Sequence, residues 1–193
     1  MEHELDGVES ESLACNLWGS WGRTSLEVMS EDEFVECSGL DREIGNCFGR
    51  MVSSFDKGKH ISLSSLAECL RVLKSSSLED RVRLLCQFMD SERSGRISHT
   101  DMQKYLWMMN NTGIERLVFR HAGDANPSFA YEDLLRAFQN TSRGEAAISL
   151  FCHQVLKLLN QSDVNSNAQR YKAGSFSQTQ RSFANVFDRT FHF

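Results

Sequence analysis

The stretch that decides the fold runs from Leu84 to Leu106, LLCQFMDSERSGRISHTDMQKYL. It continues a helical stripe. Leu78, Val82, Leu85 and Met89 fall on one face, and Leu84 and Phe88 widen it. Beyond the loop the same spacing resumes with Met102, Leu106 and Met109. Between the two helices lie the twelve residues Asp90 to Asp101, with side-chain oxygens recurring at Asp90, Glu92, Ser94, Ser98 and Asp101. Gly95 stands in the middle, where a residue without Cβ lets the chain turn sharply. Ile97 is the one large apolar side chain of the loop.

This segment resembles the EF-hand calcium loop. Calcium takes six to eight oxygen ligands, and an EF-hand supplies them from loop positions 1, 3, 5, 7, 9 and 12. The resemblance carries these positions onto Asp90, Glu92, Ser94, the Arg96 carbonyl, Ser98 and Asp101, with Gly95 at position 6 and Ile97 at position 8. It implies that Ile97 enters the core while its backbone pairs with a partner loop. Two departures weaken the ion. Position 12 is Asp101 where the family carries Glu, and the shorter arm loses the bidentate contact, which favours magnesium relative to calcium. Position 3 is Glu92, a long arm for a tight loop. Calcium is thus the implied ion, weakly held, with magnesium as the alternative. The same residues also fit a helix–loop–helix that needs no ion, in which Ser98 caps the outgoing helix and Asp101 stands in the capping-box relation.

EF-hands come in pairs, because a lone one leaves its apolar face uncovered. Aligning on the position-8 residue finds three more candidates. Ile61, 36 residues before Ile97, gives a loop from Ser54 to Ser65, and a shorter loop from Asp56 is also open. Phe129, 32 residues after Ile97, gives Ala122 to Asp133. Met29 gives Gly22 to Glu33, with Ser30 and Glu33 as a capping box. None has a ligand set. Ser54 and Ser65 stand at positions 1 and 12 of the second loop, and Gly22 at position 1 of the first. The fourth carries Ala122 and Pro127 at positions 1 and 6, leaving Asp124, Asn126 and Asp133. In layout the chain resembles four-hand families such as the neuronal calcium sensors and calcineurin B and its homologues, over about Trp18 to Leu159. EF-hand regions within NADPH oxidases or lipid acyltransferases look similar.

The expected fold is therefore all-α, with paired EF-hand units in two lobes and a flexible C-terminal tail. Residues 1–12 are polar and acidic and read as disordered. Residues 13–109 hold the first three units, with the best preserved at 84–106. Residues 110–159 hold the degenerate fourth unit and a following helix. Leu40, Ile44, Phe48, Met51, Val52 and Phe55 make one helical face, and Ile148, Phe151, Val155 and Leu158 another. Strand alternation is not evident. Residues 160–179 read as a polar linker. In the tail, Phe183, Val186, Phe187 and Phe191 return to one helical face, which would plug an apolar groove of the same chain or dock on another protein.

Composition excludes several classes. Of 193 residues 40% are hydrophobic, enough for one sizeable core or two small ones, and the net charge of −5 gives no counterion-release energy on nucleic acid. No apolar run has the length of a membrane span, and Met1-Glu2-His3-Glu4 lacks the pattern of a signal peptide or a myristoylation site. The six cysteines show no zinc or CxxC spacing and read as reduced core residues of a cytoplasmic protein. No HExxH, GxSxG or phosphate-loop motif supports an enzyme. His99, at loop position 10, reads as a surface residue. Trp18 and Trp21 admit a partner anchor, although core packing is the heavier reading. The leading expectation is a regulatory adaptor that binds a partner's amphipathic helix, with Met102, Met108 and Met109 as adaptable contacts. The alternative is a structural subunit of a cytoskeletal or ciliary assembly on a calcium-insensitive scaffold.

Overall fold

The computed structural model describes residues 2–57, 60–75, 77–103, 128–141 and 143–170. In chain order these form α1 (Glu2–Ser20), β1 (Val28–Met29), α2 (Glu31–Ser38), α3 (Arg42–Ser53) with a 3-10 turn at Ser54–Asp56, β2 (Ile61–Ser62), α4 (Leu63–Ser75), α5 (Leu78–Met89) and β3 (Arg96–Ser98). A helical segment at 99–103 follows. Then come β4 (Ser128–Ala130), α6 (Tyr131–Gln139) and α7 (Gly144–Arg170). The fold is mostly helical.

Local chemistry starts and stops these helices. Ser30 caps α2, its hydroxyl accepting from Glu33 N–H at 3.2 Å while the Glu33 carboxylate accepts from Ser30 N–H at 2.8 Å. Gly39 then ends α2 at φ +66°, a left-handed conformation that costs a glycine nothing. Asp41 caps α3 and Ser77 caps α5, each through a side-chain oxygen.

Two short antiparallel ladders join the loops. In one, Met29 pairs with Ile61 and Val28 with Ser62. In the other, Ile97 pairs with Phe129, flanked by Arg96 with Ala130 and Ser98 with Ser128. The four apolar residues singled out by the spacing argument therefore face one another two by two. Their side chains are buried, each at most 2% exposed. The strands are too short for an alternation pattern, which is why none is evident in the sequence.

Above and below the ladders the buried side chains form one continuous cluster, from Ala14 to Leu159. Phe48, Met51 and Val52 lie at its centre, and Leu40, Ile44 and Phe55 pack at its edge. A relay of edge-to-face rings runs through it. Phe48 meets Phe88 at 5.5 Å, and Phe88 meets Phe151 at 5.6 Å. Trp18 and Trp21 are core residues, and Trp21 stacks edge-on against Phe34 at 5.3 Å. The indole N–H of Trp18 donates to the Thr24 carbonyl at 2.8 Å, tying the end of α1 to the first loop.

Several expectations need correction. The acidic N-terminus is helical from Glu2, because α1 lays Ser10, Ala14, Leu17 and Trp18 against the core, chiefly along α4, and turns Glu9 and Glu11 outward. Lys74 of α4 meets Glu9 at 3.5 Å. The helix containing Phe151 does not stop near residue 159 but continues to Arg170, with no Gly or Pro after Gly144 to end it. Met102 is fully buried and offers no surface to a partner. Met108 and Met109, residues 110–127 of the expected fourth unit, and the stripe at 183–191 lie outside the described residues.

Candidate functional site

Asp90 ends α5 and is buried, 2% exposed, although its side chain is a carboxylate. Burial of such a group demands hydrogen-bond donors. Its own loop provides most of them. Oδ1 accepts from Ser94 N–H at 3.1 Å, and Oδ2 accepts from Gly95 N–H at 2.8 Å. Gly95, at φ +73°, makes the turn that aims its N–H back at Asp90. Another donor comes from across the ladder. Tyr131 follows Ala130, the partner of Arg96, so its ring lands beside the Gly95 turn. Its hydroxyl donates to Asp90 Oδ2 at 3.1 Å. Burial first, and then the Asp90 charge, push the Tyr131 phenol well above the ordinary tyrosine range. It therefore remains a protonated donor at neutral pH.

The serine and Asp101 oxygens of the loop are also engaged. Ser94 Oγ accepts from Arg96 N–H at 3.2 Å, and its single proton is shared between the Arg96 carbonyl at 3.1 Å and Asp90 Oδ1 at 3.4 Å. Ser98 Oγ accepts from Asp101 N–H at 3.0 Å and donates to Asp101 Oδ2 at 2.7 Å, which is the cap expected of the ion-free reading. Ser91 donates to Asp101 Oδ1 at 2.8 Å. The Arg96 side chain turns to the partner strand, giving N–H groups to Ser128 Oγ at 2.9 Å and the Ser128 carbonyl at 3.1 Å. Glu92 is exposed. His99 is half-buried, its ring 5.8 Å from that of Phe129.

Whether these residues fit calcium follows from the donor set. Asp90, Glu92 and Asp101 all lie among the described residues, yet they do not gather into a group of three carboxylates able to hold an ion. Asp90 already receives three full hydrogen bonds and a share of a fourth, against about four lone-pair sites on a carboxylate. In this arrangement the protein's own donors occupy the oxygens of Asp90 and Asp101.

Its outer turn is held from the other pair of units. Arg93 has φ +54°, uncommon for a side chain other than Asn, Asp or Gly. Its guanidinium pairs with Glu31 at the start of α2 and donates to Ser53 Oγ at 3.3 Å. The buried Ser53 hydroxyl in turn donates to Glu31 Oε1 at 2.6 Å. Nearby, Arg50 Nη2 donates to the Phe88 carbonyl at 3.3 Å and Ser54 to Gln87 Oε1 at 2.9 Å. Tyr131, Arg93 and Glu31 are not evident as site residues in the sequence. Only the ladder register would have pointed to Tyr131, and only the packing of α3 on α5 to Arg93.

Described residues of the other loops are hydrogen-bonded likewise. Asp56 Oδ2 accepts from the Ser62 hydroxyl at 2.6 Å, while Ser62 and Ser65 cap α4 reciprocally at 2.9 and 3.1 Å. Asp133 Oδ2 accepts from Ala130 N–H at 3.2 Å. All six cysteines are free thiols, with Cys47, Cys69, Cys86 and Cys152 in the core. Compared with known proteins, this chain matches no family model and no curated protein.

Proposed function

We propose that this chain is an EF-hand-type adaptor that works without calcium: two pairs of helix–loop–helix units that hold a partner protein through a scaffold set by apolar packing. The observation that carries the reading is the ladder register, Met29 on Ile61 and Ile97 on Phe129, which places the position-8 residues of successive loops opposite each other. The hydrogen-bonded state of Asp90 and Asp101 supports a constitutive role over a calcium switch. A structural subunit of a larger assembly is the second reading that this same closed loop favours.

The inner apolar surface is not open to a partner. Ile148, Phe151, Cys152, Val155 and Leu159 form the buried stripe of α7, which touches α1, α2, α4, α5 and α6. Arg81 fixes the start of α7 through Glu145 and, at 3.0 Å, Ser149. A partner's amphipathic helix would reach that surface by replacing α7. The test is cross-linking with mass spectrometry in the cells that make the protein, with calcium present or chelated. The same partner in both conditions supports a calcium-independent adaptor. A partner captured only with calcium would overturn it.

A further inference from the structure

We infer that the loop at 90–101 is a cation loop locked by the protein itself: the Tyr131 hydroxyl stands in for the ion at Asp90, and the Arg93 clamp fixes the loop's outer turn. The inference rests on the EF-hand-type reading above. In such a loop the position-1 carboxylate, Asp90 here, is an ion ligand. Its oxygens instead face Ser94 N–H, Gly95 N–H and Tyr131 O–H, with the Ser94 hydroxyl nearby. The two N–H groups belong to the same loop and shape its turn. The phenol is different, because it arrives from the neighbouring loop. It gives the buried carboxylate a partner from outside its own turn, as an ion would, and it links the two loops.

Arg93 completes the lock on the opposite side. Its left-handed backbone is disfavoured for an arginine, so other interactions must hold it. Glu31 and the buried Ser53 hydroxyl provide them, and both belong to the helices of the first ladder pair. The loop is therefore clamped between α2–α3 on one side and the β4–α6 junction on the other. Asp101, with a serine hydroxyl on each oxygen, is held out of the ligand position by the same closed state.

The test uses the full chain and three variants: Tyr131→Phe, Tyr131→Phe with Asp101→Glu, and these two with Arg93→Asn, since Asn tolerates the left-handed conformation. Each is titrated calorimetrically with calcium chloride and melted in EDTA and in calcium. The unaltered protein is expected to show no saturable binding up to about 1 mM, the weak end of EF-hand affinities, and the same melting temperature in both buffers. Tyr131→Phe, which keeps the ring, is expected to melt about 2–4 °C lower in EDTA. The triple variant is expected to take one calcium per chain and to recover that loss when calcium is added. Tyr131→Phe melting like the unaltered protein in EDTA would overturn the lock, as would tight calcium binding by the unaltered chain. A triple variant that melts low yet takes no ion would overturn the stand-in role and place the failure in the EF-hand-type reading itself.

Discussion

At the scale of single residues, the polar side chains of the loop at 90–101 were legible but their partners were not. The spacing singles out Asp90, Ser94, Ser98 and Asp101, and each is hydrogen-bonded within the loop. What spacing could not supply is the occupant of Asp90, because Tyr131 is 41 residues away in the chain. Removing Asp90 should therefore hurt folding even where no ion is present. Asp90→Ala strands the Gly95 N–H and the Tyr131 hydroxyl, and a stranded buried partner costs about 1–3 kcal/mol. Denaturant unfolding in EDTA should show that loss. An unchanged midpoint would mean that the carboxylate is idle without metal. Gly144 is a second point of sensitivity. A Cβ there would run into the Phe138 carbonyl at the turn from α6 to α7, so Gly144→Ala should lower stability by about 1–3 kcal/mol.

At the scale of elements, the capping signals were the most readable part of the chain. Ser30 and Glu33 are recognisable three residues apart, and they form the reciprocal cap of α2. Ser30→Ala should cost about 1 kcal/mol in thermal or denaturant unfolding. The same cap sets an acid-side dependence. The Ser30 N–H, then the Arg23 side chain and the Ser30 hydroxyl, hold the Glu33 carboxyl below the usual range. A carboxyl depressed by folding contributes stability at neutral pH and loses it as pH falls through its folded value. Glu33→Gln should flatten that acid limb, and an equal slope in both proteins would detach Glu33 from it. Composition misled at the ends. The run MEHELDGVESES reads as solvated, yet Glu9, Glu11 and Ser12 stand on the outer face of a helix whose inner face, with Ser10 and Ala14, is deep in the core. Polarity near Asn160 likewise says nothing against helix, since the residues there lack Gly and Pro.

At the scale of the whole molecule, one core carries both ladders, and α7 is the element that closes it. The apolar stripes were visible as stripes, but their partners were not, because a helical period does not name the surface it meets. Phe151 is fully buried against Phe88, and Phe151→Ala should cost about 3–5 kcal/mol by leaving a cavity. The core also predicts the alkaline limb. Burial pushes the Cys37 thiol up to about 11 and that of Cys152 to about 12, with Cys69 and Cys86 raised further. Thiols kept neutral by folding contribute stability that is complete below the ordinary thiol range and is lost as pH rises through these values. The melting temperature should accordingly fall above about pH 9, and a flat profile there would mean the thiols are hydrated. The central claim is that packing alone, without metal, brings the loops together two by two. Cross-strand NMR contacts between Met29 and Ile61 and between Ile97 and Phe129, recorded in EDTA, test it most directly. Both sets of contacts are expected in EDTA, unchanged when calcium is added. Contacts absent in EDTA that form only with calcium would contradict it.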